Sequence, residues 1–87
     1  MSLGLEETAI KLALQKEWDK AIALNKKVLQ NNSKNKKALL RLGKAYMQKE
    51  EYLEAKRAFK KVLEIDSINK IALKNLKKID QRSPARV

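Results

Sequence analysis

Hydrophobic and polar positions recur with helical spacing along this chain, most clearly between Ala38 and Leu63. Two apolar stripes lie on either side of a short polar turn at residues 48–51. Two amphipathic helices so close in sequence predict an antiparallel helical hairpin. The stripe positions are Leu39, Leu42, Gly43 and Tyr46 in the first segment, and Ala55, Phe59, Val62 and Leu63 in the second.

Gly43 lies within the first stripe, where a glycine costs a helix about 1 kcal/mol relative to alanine. A residue without a side chain lets the facing helix approach closely, which offsets this cost. The small side chain of Ala55 has the same effect from the opposite helix. We therefore expect close contact between the two helices at Gly43.

Helical patterns also precede and follow this hairpin. They predict helices at about residues 3–15, 18–30 and 71–81, so the chain is expected to be all-α with five helices. Asn31, Asn32 and Ser33 form a polar break that can cap the next helix. Pro84 disfavours helix at Ser83 and is expected to end the last one.

The chain contains an internal repeat of 34 residues. Nine of 34 residue pairs are identical after this shift, and they fall at core and turn positions, which indicates duplication rather than chance. Residues 2–35 form a diverged first repeat, residues 36–69 a second and residues 70–82 a closing helix, together one domain at 1–82 with a flexible tail at 83–87. Asn25 replaces Phe59 in the first repeat, so we expect that helix to pack less well.

The spacing Leu-x2-Leu-Gly-x2-Tyr followed by Ala-x3-Phe, beginning at Leu39 and ending at Phe59, resembles the tetratricopeptide repeat. The position of the family's closing proline falls on Ser67 here. The resemblance implies a right-handed superhelix of antiparallel hairpins, with two repeats and a C-terminal solvating helix. It also implies a non-catalytic protein–protein interaction module, in which the first helix of each repeat lines a concave groove.

Composition narrows the possible chemistry. The chain has no His and no Cys, which removes the commonest general base, a common metal ligand and any disulfide. The neighbouring pairs Glu6-Glu7 and Glu50-Glu51 point around their helices rather than converging. We therefore expect no enzyme activity, no cofactor and no metal.

The net charge of +11 favours acidic partners. The positive excess rises from +2 in residues 1–35 to +4 in 36–69 and +5 in 70–87. A groove that combines cations with apolar side chains suits a peptide with an acidic end or a free carboxylate. The candidate peptide-binding residues are Ile10, Leu14, Lys37, Leu40, Arg41, Lys44, Met47, Lys74, Asn75 and Lys78.

Lys37 and Arg41 carry a narrower resemblance, to the carboxylate-clamp members of the family, which hold the acidic C-terminal tails of heat-shock chaperones. In those members a Lys and an Arg one helical turn apart open the last full repeat. The preceding repeat of those members also supplies an Asn, and Glu7 stands at the matching position here. The resemblance therefore implies a partial carboxylate site rather than a complete clamp.

Two other functions remain open. A basic domain binds phosphate backbones, but the aromatic residues lie at core spacing and offer no stacking platform, which disfavours specific nucleic-acid recognition. The uncovered face of the first hairpin could instead pair with a second copy, in a homodimer or as a scaffold within a larger protein. With no membrane-length apolar run and no signal-peptide pattern, we expect a cytoplasmic protein without membrane contact.

Overall fold

The computed structural model describes residues 4–82. Within this range the chain forms five α-helices and no strand, which confirms the all-α prediction. The predictions for residues 1–3 and 83–87, which are the helix start near Leu3, the stop at Pro84 and the flexible tail, lie outside the described residues. The helices are α1 (Leu5–Leu14), α2 (Trp18–Asn31), α3 (Lys36–Gln48), α4 (Tyr52–Ile65) and α5 (Lys70–Arg82).

Consecutive helices pack against each other, and α3 is central to the array. It contacts α2 and α4 extensively and also touches α1 and α5. Its stripe residues Leu39 and Tyr46 are buried together with Phe59 and Val62 of α4, and this cluster extends to Ile79 of α5. Ile22 of α2 belongs to the same cluster, so one apolar core runs from α2 through the second hairpin to the last helix.

The closest contact in the core lies at Gly43. The ring of Phe59 sits directly over it, and a Cβ atom at Gly43 would be 2.6 Å from Phe59 Cζ. Phe59 and Ala55 are fully buried. The close approach expected of this glycine is confirmed.

The turns inside the two hairpins have the same backbone conformation. Lys16 and Glu50, 34 positions apart, both adopt left-handed backbone conformations, with φ of 61° and 60°. The N-caps recur too, since Asn35 Oδ1 accepts from the Ala38 amide at 3.0 Å and Asn69 Oδ1 from the Ala72 amide at 2.9 Å. The cap of α3 is therefore Asn35 rather than the break at residues 31–33.

Candidate functional site

A groove lies between α3 and α5, with the start of α4 at one end. We call it the α3–α5 groove, and its volume is about 410 Å³. α3 and α5 touch only slightly, and both helices line the gap between them. Its lining residues are Lys44, Met47, Gln48, Glu50, Tyr52, Asn75, Lys78 and Arg82.

The charge of this groove is mainly positive. Lys44, Lys78 and Arg82 are exposed, and Glu50 is the single carboxylate among the lining residues. Met47 is half-buried against the core and supplies an apolar surface beside the cations. The arrangement suits a ligand with carboxylates and an apolar side chain.

Asn75 has a structural role within the groove. It is 9% exposed, and its Nδ2 donates to the Ile71 carbonyl oxygen of the preceding turn at 2.8 Å. This hydrogen bond holds the amide side chain against its own helix. Asn75 therefore contributes a fixed wall rather than a mobile side chain.

The structure brings four of the ten predicted residues into the α3–α5 groove, and six do not line it. Ile10 and Leu14 are exposed on α1, at 43% and 80%, while Leu40 packs half-buried against the core. Lys37 and Lys74 are exposed on α3 and α5. Arg41 contacts Glu6 and Asn25 instead, and the peptide-binding role of all ten residues stays a prediction.

The partly buried Arg41 is held against α1 and α2 by two side-chain contacts. Its Nη2 donates to Glu6 Oε1 of α1 at 2.9 Å, and its Nε donates to Asn25 Oδ1 of α2 at 3.0 Å. Its side chain is only 19% exposed. An incoming carboxylate would compete with Glu6 for this guanidinium, so Arg41 can join a partial clamp only by exchanging partners.

Glu6 has the surroundings of a bound carboxylate. Besides Arg41, it accepts a hydrogen bond from Asn35 Nδ2 at 3.4 Å. The hydrogen bond from Arg41 is the main reason that the pKa of Glu6 is lowered from its ordinary value of 4.5, with Asn35 and the charge of Lys37 contributing. Glu6 therefore stays ionised, and paired with Arg41, at pH values where an isolated glutamate begins to take up a proton.

Glu7, at the position of the clamp's Asn, is used locally instead. Its Oε1 accepts from the Gly4 backbone N–H at 2.9 Å, which caps the start of α1. This carboxylate therefore hydrogen-bonds to the N-terminus of its own helix. The structure therefore gives Glu7 a structural role.

The expectation that Asn25 leaves α2 poorly packed is wrong. Asn25 is 1% exposed, and its Nδ2 donates to the Ala21 carbonyl oxygen at 3.0 Å while its Oδ1 accepts from Arg41. Both ends of the amide are satisfied, so a polar residue fills this core position at little cost. The polar contact replaces the aromatic packing of the second repeat.

Replacing Arg41 with methionine should destabilise the domain by about 1–2 kcal/mol, because the buried Asn25 oxygen loses its donor. Urea unfolding followed by circular dichroism measures this. Lys37→Met is the matched control, since it removes the same charge from an exposed position of the same helix. Equal losses in the two variants would show that the contact with Asn25 carries no stability.

Four lining residues are not among the ten candidates predicted from the sequence, namely Gln48, Glu50, Tyr52 and Arg82. Arg82 lies 34 positions after Gln48, so the repeat period could have placed it in the groove. Tyr52 was assigned to the core from its spacing, yet it is half-buried and also lines the groove. The sequence does not distinguish a core position from a groove position at Tyr52, because the same face of α4 serves both.

The geometry defines a class of protein built from stacked helical hairpins. The family model described as Tetratricopeptide repeat matches residues 12–78, and the chain belongs to this family. Among curated proteins, none matches this chain. Members of the family generally mediate protein–protein interactions and are typically non-catalytic.

The described part of the chain shows no metal cluster. Nowhere in residues 4–82 do three or more Asp and Glu side chains gather as metal ligands would. Over the same residues, each helix is too short or too polar to span a bilayer.

Proposed function

We propose that this domain binds an acidic segment of a partner protein in the α3–α5 groove, without catalysis. The observation that carries the proposal is the convergence of Lys44, Lys78 and Arg82 beside Met47, from two helices of neighbouring repeats. Cations on two rigid helices can contact successive carboxylates of one ligand while the apolar surface holds a side chain between them. The family's general role in protein–protein interaction supports the same function.

The groove recognises charge and shape rather than bases. Tyr52 is the one aromatic among its lining residues, so stacking of successive bases has no platform there. Lysine and arginine on a folded scaffold still attract any polyanion, and that attraction falls steeply with salt. A peptide held by the groove should retain binding at moderate salt through its apolar contact.

Reversing two groove charges should weaken an acidic ligand. We expect Lys44→Glu with Lys78→Glu to lower the affinity for a synthetic peptide, ending in several acidic residues and a free carboxylate, by about tenfold or more. Isothermal titration calorimetry measures this, with light scattering to show that each variant keeps the parent's mass. An affinity equal to that of the parent would contradict the proposal.

The matched control is Lys20→Glu with Lys27→Glu, which changes the net charge equally at exposed positions of α2 that do not line this groove. At an ionic strength of about 0.15 M, charges farther than ~8 Å from the ligand are largely screened. The control should therefore bind almost as the parent does. Equal losses in both variants would mean that net charge alone attracts the peptide.

Self-association is the second candidate. Leu14 at 80% exposure and Ile10 at 43% present an apolar strip on α1 that could contact a second copy. A mass that rises with concentration and is unaffected by the peptide would favour this function over peptide binding. The cytoplasmic location predicted from the sequence stays a prediction.

A further inference from the structure

A second groove lies between α2 and α4. These two helices both pack on α3 but not on each other, so a depression of about 450 Å³ remains between them. We call it the α2–α4 groove. It shares no lining residue with the α3–α5 groove, and it is a separate surface.

The floor of the α2–α4 groove is apolar. Leu39, Leu42 and Tyr46 of α3 form it, with Leu29 and Ala58 on the walls. A depression of this volume admits one or two aliphatic side chains, whose contact with such a floor removes apolar surface from water. The floor is therefore suited to an apolar anchor from another molecule.

The rim of the groove is basic. Lys26 stands on α2, and Arg57 and Lys61 stand on α4 together with Glu54. Glu54 pairs with Arg57 of its own helix at 3.4 Å, so these two charges offset each other. Lys26 and Lys61 have no such partner on their own helix, so they supply the positive charge of the rim.

The basic rim continues beyond the first depression. Ser33 and Lys61 also line a neighbouring one, which adds Lys34, Glu64 and the 40% exposed Ile65. The combined surface therefore has three lysines, Lys26 on α2, Lys34 in the turn after α2 and Lys61 on α4, against one unpaired carboxylate.

Lys26 is held in place at the edge of the floor. Its ammonium lies 5.9 Å from the centre of the Tyr46 ring, within the range of a cation–π contact. The contact with Tyr46 is the main reason that the pKa of Lys26 is raised. The ammonium remains charged over the neutral range and is positioned where the apolar floor meets the rim.

We propose that the α2–α4 groove binds an acidic protein segment that places an aliphatic side chain on the floor and its carboxylates against Lys26, Lys34 and Lys61. The complementarity is double, because the floor selects an apolar anchor and the rim selects negative charge around it. The surface is independent of the α3–α5 groove. One chain can therefore hold two partner segments at once and act as an adaptor between them.

The probe for this proposal is a synthetic peptide with one central leucine flanked by glutamates, compared with a second peptide in which serine replaces the leucine. Both are titrated into the ¹⁵N-labelled full chain, and backbone amide shifts are followed by NMR. We expect the leucine peptide to shift the amides of Ser33, Ala58 and Lys61 and to bind about tenfold more tightly there than the serine peptide. Equal binding of the two peptides would overturn the proposal.

Charge reversal tests the rim. Lys26→Glu with Lys61→Glu should reduce binding of the leucine peptide at the α2–α4 groove by about tenfold or more, whereas Lys70→Glu with Lys77→Glu, at exposed positions of α5 that do not line this groove, should have little effect. Circular dichroism checks that the variants fold, and the comparison of the two peptides on the parent protein stands even if one variant does not.

The remaining outcomes also decide the question. Shifts confined to Lys44, Met47 and Lys78 would place the peptide in the α3–α5 groove and overturn this proposal while supporting the first. A short single-stranded RNA that produces the same shifts more tightly than the leucine peptide would overturn it in favour of a phosphate-binding surface. Loss of the first groove's binding in Lys44→Glu with Lys78→Glu, with the second unchanged, is the result expected of two independent sites.

Discussion

Replacing Phe59 with alanine is expected to lower the free energy of unfolding by about 3–5 kcal/mol. Phe59 is 0% exposed and is among the largest fully buried side chains in the described part of the chain. Its ring fills the space between α3 and α4 directly over Gly43, which has no side chain to close the resulting cavity. The loss combines the transfer of a large apolar group with the cavity that remains.

A loss of this size removes much of the stability of a small domain, which totals about 5–15 kcal/mol. Urea or thermal unfolding followed by circular dichroism measures it. Ile68→Ala is the control, because Ile68 is 78% exposed and its replacement should change stability by about 0.5 kcal/mol or less. A Phe59→Ala variant that unfolds with the parent would show that α3 and α4 are not held together by this ring.

The helices could be predicted from the sequence because their pattern is strong and repeated. Apolar residues at helical spacing decide which face of a helix is buried, and that decision depends on the local sequence alone. The repeat of 34 residues then supplied the order of the hairpins. The close approach at Gly43 could be predicted for the same reason, but its partner could not, because the expectation named Ala55 and in the structure the ring of Phe59 lies over Gly43.

The contacts of the polar residues could be predicted much less well. Arg41 was assigned to a ligand site from its position on α3, whereas in the structure it reaches Glu6 and Asn25 on two other helices. A long side chain can contact any polar group within several ångströms, and helical spacing does not reveal which groups of other helices lie that near. Helical spacing therefore placed Arg41 on α3 but could not show that its guanidinium pairs with Glu6 and Asn25.

The central helix explains why the molecule has two grooves. α3 is contacted by all four other helices, yet none of them covers it completely. Leu39 and Tyr46 on one side form the floor of the α2–α4 groove, while Lys44 and Met47 on another line the α3–α5 groove. A change that moves α3 should therefore alter both surfaces, so packing variants need a binding measurement at each groove.

Gly43→Leu is expected to destabilise the domain by about 1–3 kcal/mol through overpacking. A Cβ atom there would lie 2.6–2.8 Å from three carbons of the Phe59 ring, well inside van der Waals contact. The gain in helix propensity, about 1 kcal/mol, opposes this cost but does not remove the collision. Denaturant unfolding measures the net effect, and Lys44→Leu is the control because it adds a leucine at the next, exposed position of the same helix.

A double-mutant cycle makes this result specific to the contact. Gly43→Leu with Phe59→Ala allows the new leucine to enter the space that the ring has left. The combined loss should therefore be smaller than the sum of the two single losses by about 1 kcal/mol or more. Simple additivity would mean that the two positions act separately, and the hairpin contact between α3 and α4 would have to lie elsewhere.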